Sequence, residues 1–211
     1  MNLKEGLREA PLLAILRNIP LEITADYGSA VVAGGIRYIE VALNSALAPE
    51  QIRILRDTLG SRAHVGAGTA ITVDLAKTAV EAGAEFLLSP STDADVLAWC
   101  RENGAPMLPG VMTPTDVSIC LRYGFDVLKL FPAGDLPMTY VRSLKGPFDQ
   151  TEYVAIGGVN RENMCEFLRR GCIAVGMAGG LLPKALVAAR DWDGCTAHVR
   201  DMINELREAA K

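Results

Sequence analysis

Short apolar runs alternate with longer amphipathic stretches along the whole chain, and this alternation constrains the fold more than any other feature. A short run rich in Val, Ile and Leu is typical of a strand that is buried on both faces. Apolar residues that recur every three or four positions are typical of a helix that packs through one face. Repetition of the two patterns in turn predicts βαβ units and a parallel sheet.

The alternation predicts eight strands, each followed by a helix. The strands are predicted at Leu12–Leu16, Ile36–Leu43, His64–Ala67, Phe86–Ser89, Met107–Pro109, Val127–Phe131, Tyr153–Ile156 and Ala174–Gly176. The helices are predicted at Leu21–Val32, Pro49–Leu59, Val73–Ala82, Ala94–Glu102, Pro114–Arg122, Met138–Leu144, Arg161–Arg169 and Leu181–Ala189, with a last helix at Thr196–Ala209.

Eight parallel strands with right-handed crossovers close most simply into a (β/α)8 TIM barrel, which places the chain in the α/β class. An open doubly wound sheet has the same alternation and stays an alternative. The 211 residues suit one barrel without a second domain, so we expect a single domain over residues 1–211 that ends in a C-terminal helix. In such a barrel the reactive groups lie at the C-terminal ends of the strands.

Composition and charge exclude several classes of partner. The formal charge is -4, which provides no basic field for nucleic acid, and no apolar stretch reaches the length of a membrane span. Glu5 and Glu9 interrupt the region where a secretory signal would be apolar. The five cysteines are odd in number and the chain has only two histidines, so we expect a cytoplasmic protein with reduced thiols and without a His-rich metal site.

Lys129 lies within an apolar strand, where burial of an unpaired charge costs free energy. Strand alternation places it on the same face as Val127 and Phe131, while Leu128 and Leu130 face the helices, so Lys129 should project into the barrel. Desolvation lowers the pKa of an ammonium group, and the neutral amine is the form that attacks a ketone to give an imine. A structural ion pair with a core carboxylate, or a lysine that reaches the strand end, is the alternative interpretation.

Glu40 also faces inward, because Ile39 and Val41 on either side of it form the outward apolar face of their strand. A carboxylate beside Lys129 can pair with the lysine, and it can also carry protons to and from a substrate. Position alone does not separate these two roles.

Two further groups follow strands at the same end of the predicted barrel. Arg17 ends the first strand, and its guanidinium can hold a carboxylate or close the barrel by pairing with Glu40. Thr69 follows the third strand, where its hydroxyl can bind the same carboxylate or satisfy a turn.

Glycines follow the last two strands, as Gly157-Gly158 and around Gly179. Loops of this kind let backbone N–H groups approach a phosphate at this part of a barrel, so the pattern favours a phosphorylated substrate. Tight turns are the structural alternative.

Seven segments together resemble the family of 2-keto-3-deoxy-6-phosphogluconate and 4-hydroxy-2-oxoglutarate aldolases. They are Arg17, IEVALNS, GAGT, the LSP of residues 88–90, the PG of residues 109–110, LKLFPA and IGGV, in the family's order and spacing from about residue 11 to residue 190. The resemblance implies a class I aldolase, a lyase that uses no metal or other cofactor, on a (β/α)8 barrel that forms a homotrimer. In it, Lys129 matches the imine-forming lysine and Glu40 the proton-transferring acid. Arg17 and Thr69 match the contacts to the pyruvate carboxylate, and Pro90 and Phe131 match residues that line the pyruvate pocket.

Two positions make the chain more similar to the 2-dehydro-3-deoxy-6-phosphogalactonate aldolase branch of that family. Asn44 lies in Leu43-Asn44-Ser45, and Ile156 precedes the Gly-Gly pair, whereas the gluconate branch typically has arginine and threonine at these places. The family often has a serine where this chain has Gly179, so the phosphate contact of that hydroxyl is missing here.

The resulting hypothesis is cleavage of a phosphorylated 2-keto-3-deoxy sugar acid, the galactonate first, to pyruvate and D-glyceraldehyde 3-phosphate. The gluconate epimer and unphosphorylated 4-hydroxy-2-oxoglutarate are the alternative substrates. A phosphosugar isomerase would keep the glycine loops without a covalent role for Lys129, and a metabolite-binding barrel would keep the pocket without catalysis.

Overall fold

A computed structural model describes residues 2–45 and 47–209, and the few other residues of the predicted 1–211 domain lie outside the described part. Its sheet is entirely parallel. Over the described residues the strands are β1 Leu12–Leu16, β2 Tyr38–Ala42, β3 His64–Gly68, β4 Leu87–Leu88, β5 Met107–Leu108, β6 Gly110–Val111, β7 Val127–Leu130, β8 Glu152–Ile156 and β9 Ala174–Met177.

The sheet closes on itself, which confirms the predicted barrel. Its strand order is β5-β4-β3-β2-β1-β9-β8-β7-β6, and the two strands at the ends of this order are separated in the chain by Pro109 alone. Proline has no N–H to donate, so the strand predicted at Met107–Pro109 ends at Leu108 as β5, which pairs with β4. The chain continues after Pro109 as β6, which pairs with β7 and lies beyond the predicted range. The nine segments of the described residues therefore form the eight positions of a (β/α)8 barrel.

Ten α-helices lie in the described residues. They are α1 Leu3–Glu9, α2 Thr24–Gly34, α3 Ala48–Leu59, α4 Val73–Glu81, α5 Ala94–Glu102, α6 Pro114–Arg122, α7 Tyr140–Lys145, α8 Met164–Arg169, α9 Lys184–Ala188 and α10 Trp192–Ala209. None of these helices combines the length and the hydropathy that a bilayer span requires.

Two separate apolar clusters show which way each strand residue points. The outer cluster, between strands and helices, contains Leu128 and Leu130 together with Ile39 and Val41. The inner cluster fills the barrel and contains, among others, Val127. The alternation predicted for β2 and β7 is therefore confirmed, and Glu40 and Lys129 lie on the inner faces of their strands.

Helix α1 is a feature that the sequence patterns did not predict. Leu3 and Leu7 of this helix are buried and belong to the inner cluster, so α1 covers the N-terminal end of the barrel. Ion pairs hold it to the strand starts: Lys4 Nζ lies 3.2 Å from Asp126, and Arg8 pairs with Glu152.

Some predicted helix starts were wrong by a few residues. The helix predicted from Leu181 begins at Lys184, because Pro183 has no N–H to continue a helix from Leu181 and takes the extended N-cap position instead. The helix predicted from Arg161 begins at Met164, after a turn in which the Asn160 side chain accepts from the backbone of Glu162 and Asn163. The last helix begins earlier than predicted, at Trp192.

Candidate active site

Lys129 lies inside the barrel and is 3% exposed. The backbone of β7 holds it in place, since its N–H donates to the Pro109 carbonyl at 2.9 Å and its partners in register are Gly110 and Val154. The Nζ atom lies 5.1 Å from the centre of the Phe131 ring. Burial lowers the pKa of the Lys129 ammonium below its ordinary value, the charge of Glu40 opposes this change, and Arg17 adds to it.

Glu40 is buried in the same interior and is 1% exposed. It lies in β2 in register with Ile15 on one side and Gly66 on the other. Burial raises the pKa of the Glu40 carboxyl above its ordinary value, and the charges of Lys129 and Arg17 oppose that rise.

The lysine and the glutamate do not close into an ion pair. None of the ion pairs in the described residues includes Lys129 or Glu40. The Oε2 atom of Glu40 is buried and has no hydrogen-bond partner within the described part of the chain. Buried polar atoms are nearly always paired, so this oxygen requires an explanation. A structural ion pair would satisfy it, whereas a carboxylate that awaits a substrate or a water would not.

Gly68 makes room for the Glu40 carboxylate and was not singled out by sequence reasoning. A methyl group built on Gly68 would overlap the Glu40 carboxylate. Two residues earlier on the same face of β3, a methyl group on Gly66 would come within 2.6 Å of the Phe86 ring. Glycines at alternate positions of one strand were the available signal, because they mark a strand face on which larger neighbouring side chains lie.

A cavity of about 300 Å³ opens at the C-terminal end of the barrel. Its walls include six of the predicted site residues, namely Arg17, Phe131, Ile156, Gly157, Gly158 and Gly179. Among the other wall residues in the described part of the chain, Asn160 has the only polar side chain, and sequence reasoning missed it. Arg17 is exposed at the rim directly after β1 and forms no ion pair with the described residues.

Gly157 and Gly158 form one wall through a backbone that only glycine adopts easily. Their φ angles are 85° and 72°, and a methyl group on Gly157 would come within 2.8 Å of the Phe131 ring. The Gly134 N–H donates to the Gly157 carbonyl at 2.7 Å. The pair therefore forms a tight turn, and this turn packs against the loop that follows β7.

Lys129 and Glu40 lie in the barrel interior and are not wall residues of this cavity, and three other predicted residues also lie outside its walls. Thr69 follows β3 with a φ of 65°, an uncommon backbone conformation for a β-branched residue and one that concentrates at functional sites. Pro90 follows β4 and is half-buried, and Asn44 is exposed in the turn after β2. All three follow strands at the end of the barrel where the cavity opens. Within the described residues, no three His, Cys, Asp or Glu side chains are arranged to hold a metal ion.

The family model "KDPG and KHG aldolase" matches residues 3–198. The chain belongs to this aldolase family. It is 31% identical over 194 residues to a 2-dehydro-3-deoxy-phosphogluconate aldolase of Treponema pallidum, covering 92% of this chain and 90% of that protein. It is 30% identical over 173 residues to a 2-dehydro-3-deoxy-6-phosphogalactonate aldolase of Escherichia coli, covering 81% and 84% of the two chains.

Solved structures agree with this assignment. The 2-keto-3-deoxy-6-phosphogluconate aldolase of Zymomonas mobilis superposes with a TM-score of 0.89 at 28% identity and covers 100% of both chains. The KDPG aldolase of Legionella pneumophila, in which pyruvate was captured as a covalent carbinolamine intermediate, superposes with a TM-score of 0.87 at 26% identity, covering 96% and 98%. The chain is thus a class I aldolase of the KDPG/KHG type, which favours the carbon–carbon lyase over the isomerase and the noncatalytic barrel.

Proposed function

We propose that this aldolase reversibly cleaves 2-dehydro-3-deoxy-6-phosphogalactonate to pyruvate and D-glyceraldehyde 3-phosphate. The observation that carries the chemistry is the arrangement of Lys129 and Glu40. Both are buried on the inner face of the barrel, they act on each other's pKa, and they do not form an ion pair.

In this proposal Lys129 is the nucleophile. Its neutral amine attacks the C2 ketone, and loss of water from the carbinolamine gives an iminium ion. When the C3–C4 bond breaks, its electron pair moves into the iminium system to form an enamine, and the C4 hydroxyl oxygen becomes the carbonyl oxygen of the released aldehyde. Protonation of the enamine carbon and hydrolysis of the imine then release pyruvate and the free amine.

Glu40 is the proton carrier in the same sequence. Its carboxylate accepts the C4 hydroxyl proton, directly or through one water, and its acid form returns a proton to the enamine carbon. The unpaired Oε2 atom is free for this purpose. Because burial raises its pKa, the carboxyl exchanges a proton closer to neutral pH than an exposed glutamate does.

We predict that Gly68→Ala lowers kcat by about 100-fold, because the new methyl group displaces the Glu40 carboxylate and small misplacements of a catalytic group have effects of this size. Gly146→Ala is the matched control, since a methyl group there meets its nearest neighbour at 3.5 Å. Steady-state kinetics on both variants and circular dichroism test the prediction.

A double variant separates this effect from a general loss of packing. Glu40→Asp shortens the acid and leaves space for the new methyl group. Gly68→Ala should therefore lower kcat by a much smaller factor in the Glu40→Asp background than in the wild type. Strictly additive losses would show that Gly68 acts independently of Glu40.

Arg17 and Thr69 are proposed to hold the substrate carboxylate, with Pro90 and Phe131 beside the bound keto acid. The planar guanidinium of Arg17 suits a carboxylate, and no acid within the described residues occupies it. The Phe131 ring already contacts the Lys129 ammonium, so it borders the position at which the imine would form.

The distal phosphate is proposed to lie in the 300 Å³ cavity, near Gly157, Gly158 and Gly179. The last of these glycines has open space around it, with no heavy atom within 4 Å of a built methyl group. Backbone N–H groups in such loops bind anions, and here they would act without the serine hydroxyl that the family often provides.

The choice of the galactonate epimer rests on Asn44 and Ile156. Ile156 is a wall residue of the cavity, where an aliphatic side chain offers no hydrogen bond to a substrate hydroxyl. One relative of this chain is named for the gluconate epimer and another for the galactonate epimer. The chain is 31% identical to the first and 30% identical to the second, so sequence identity does not decide between the two substrates.

Progress curves on four compounds test the substrate. These are the two phosphorylated epimers, the unphosphorylated galactonate and 4-hydroxy-2-oxoglutarate. We expect kcat/KM for the phosphorylated galactonate to exceed that for the gluconate by about tenfold, and Ile156→Thr to reduce this ratio. A higher kcat/KM for the gluconate would show that the gluconate is the preferred epimer. Equal kcat/KM values with and without the phosphate would show that the enzyme has no phosphate site. Neither result would affect the proposed imine chemistry.

The resemblance further suggests a homotrimer, and we propose that the enzyme acts as one in the cytoplasm. The five cysteines are free thiols in the structure, which suits a reducing compartment.

A further inference from the structure

A second cavity, of about 370 Å³, lies at the opposite, N-terminal end of the barrel. The residues before β2 and β3, the end of α1 and the last turns of α10 surround it. Its charged and aromatic wall residues are Glu9, Arg37, Tyr38, His64, Arg62 and Arg207. This cavity is distinct from the proposed active site, which opens at the other end of the strands.

The charge of this cavity is opposite to that of the whole chain. The protein has a formal charge of -4, yet three arginines and one glutamate line the cavity. None of the three arginines forms an ion pair within the described residues. Three unpaired guanidinium groups around one concave surface attract an anion with more than one negative charge.

Two of these guanidinium groups are already held in place. Arg37 donates through Nη1 to the carbonyls of Val32 and Ile36, at 3.1 and 2.9 Å. Arg62 donates to the carbonyls of Leu59 and Thr58, at 3.3 and 2.7 Å. These bonds satisfy the C-terminal ends of α2 and α3 and leave other N–H groups on each side chain unused.

Arg37 and Arg62 follow the ends of α2 and α3, whereas Arg207 lies in the last turn of α10 itself. Arg207 has no hydrogen bond or ion pair to the other described residues, although it lies on the wall of the same cavity. Arg207 is exposed in the last turn of α10, where a positive charge suits the helix dipole, and its guanidinium N–H groups are unused and accessible to a ligand in the cavity.

Tyr38 provides a second and independent observation. Its side chain is 4% exposed, it lines the cavity, and its hydroxyl makes no hydrogen bond with the described residues. Glu40 Oε2 is the sole buried unpaired side-chain atom of the described residues, so the Tyr38 hydroxyl is accessible and offers an unused donor to the cavity. Burial raises the pKa of Tyr38, and the charges of Glu9 and Glu85 add to the rise, which keeps the hydroxyl protonated and able to donate.

The base of the cavity is rigid. The Tyr38 ring stacks on His64 with centroids 5.2 Å apart and meets Phe86 edge-on at 5.8 Å. Glu85 orients His64 through a contact of 3.3 Å to Nδ1, and this carboxylate is itself paired with Arg56. The cavity thus combines a donor on a packed aromatic ring with three exposed arginines, an arrangement that suits an anion-binding site.

We propose that this cavity is a second ligand site, which binds the phosphate or diphosphate group of a small molecule through Arg207, Arg37 and Arg62 at the rim and the Tyr38 hydroxyl at the base. The cavity volume is in the range of small-molecule sites. The site is independent of the proposed cleavage reaction and of its substrate.

Calorimetric titration of the whole protein with inorganic pyrophosphate at low ionic strength tests the proposal. We expect saturable binding that weakens as salt is added. Arg207→Gln should weaken it by about tenfold and Tyr38→Phe by a smaller factor, while neither variant needs to break an existing hydrogen bond. Arg53→Gln is the matched control and should leave the affinity unchanged, because Arg53 is an exposed arginine on α3 outside the cavity that has no ion pair with the described residues.

Aldol kinetics and sedimentation complete the test. Arg207→Gln should keep the wild-type kcat, KM and sedimentation coefficient. Three results would each overturn the proposal: equal affinity in the wild type and in Arg207→Gln, pyrophosphate binding that is wholly competitive with the aldol substrate, or dissociation of an assembly in Arg207→Gln, which would make the cavity a subunit contact.

Discussion

Lys129→Ala is expected to lower kcat for aldol cleavage by about 10⁴-fold or more, because the loss of a nucleophile removes the covalent path altogether. Lys129→Arg should lower kcat by a similar factor, because a guanidinium keeps the positive charge but does not form an imine with a ketone. Binding of the substrate carboxylate and phosphate does not need the amine, so substrate should still protect both variants against heat.

Lys77→Ala is the control for Lys129→Ala. Lys77 is exposed on α4 and its loss removes the same charge without reaching the barrel interior. We expect wild-type kinetics from this variant. Full activity in a folded Lys129→Ala protein would show that the aldol reaction uses no imine at this position.

Glu40→Gln has the second largest expected effect, a loss of about 10²- to 10³-fold in kcat, because the amide keeps the volume of the side chain but carries no exchangeable acid proton. Borohydride trapping of pyruvate should persist in this variant, since the amine is still present. Steady-state kinetics and trapping on the same preparation measure the two effects separately.

The pH dependence of trapping in Glu40→Gln provides a further readout. The charge of Glu40 raises the pKa of Lys129, so its removal lets that pKa fall further below the ordinary lysine value. The neutral amine is then present at lower pH, and the rising part of the trapping rate should move to lower pH than in the wild type. Glu50→Gln on α3 is the control, because it removes an exposed carboxylate and should change neither kcat nor the pH dependence of trapping.

An unchanged kcat in Glu40→Gln would exclude Glu40 from proton transfer.

The barrel could be predicted from the sequence because its signal is local. A period of two residues decides which side chains of a strand face inward, and both β2 and β7 follow it, with Leu128 and Leu130 in the outer cluster and Val127 in the inner one. The same rule placed Glu40 and Lys129 inside the barrel, although they are far apart in the chain.

Helix α1 could not be predicted in the same way, because its stability depends on distant residues. It has only seven residues, too few for a helix that is stable alone. Leu3 and Leu7 pack into the end of the barrel, and Lys4 and Arg8 pair with acids more than a hundred residues away.

The site was predictable as a set of residue types but not as a geometry. Sequence patterns placed the amine and the carboxylate in one interior, yet they allowed a closed ion pair as readily as a pair held apart. The unpaired Oε2 atom of Glu40 and the space made by Gly68 depend on rotamers and on the closure of the barrel. The cavity around Tyr38 depends on α1 and α10 in the same way.

Reductive trapping tests the central proposal most directly. The wild-type protein is incubated with pyruvate and borohydride, digested, and analysed by mass spectrometry. We predict one stable reduced pyruvate adduct per chain, on the peptide that contains Lys129, and none on that peptide in Lys129→Arg. A folded, active wild-type protein that gives no adduct, or an adduct on another lysine, would contradict the account.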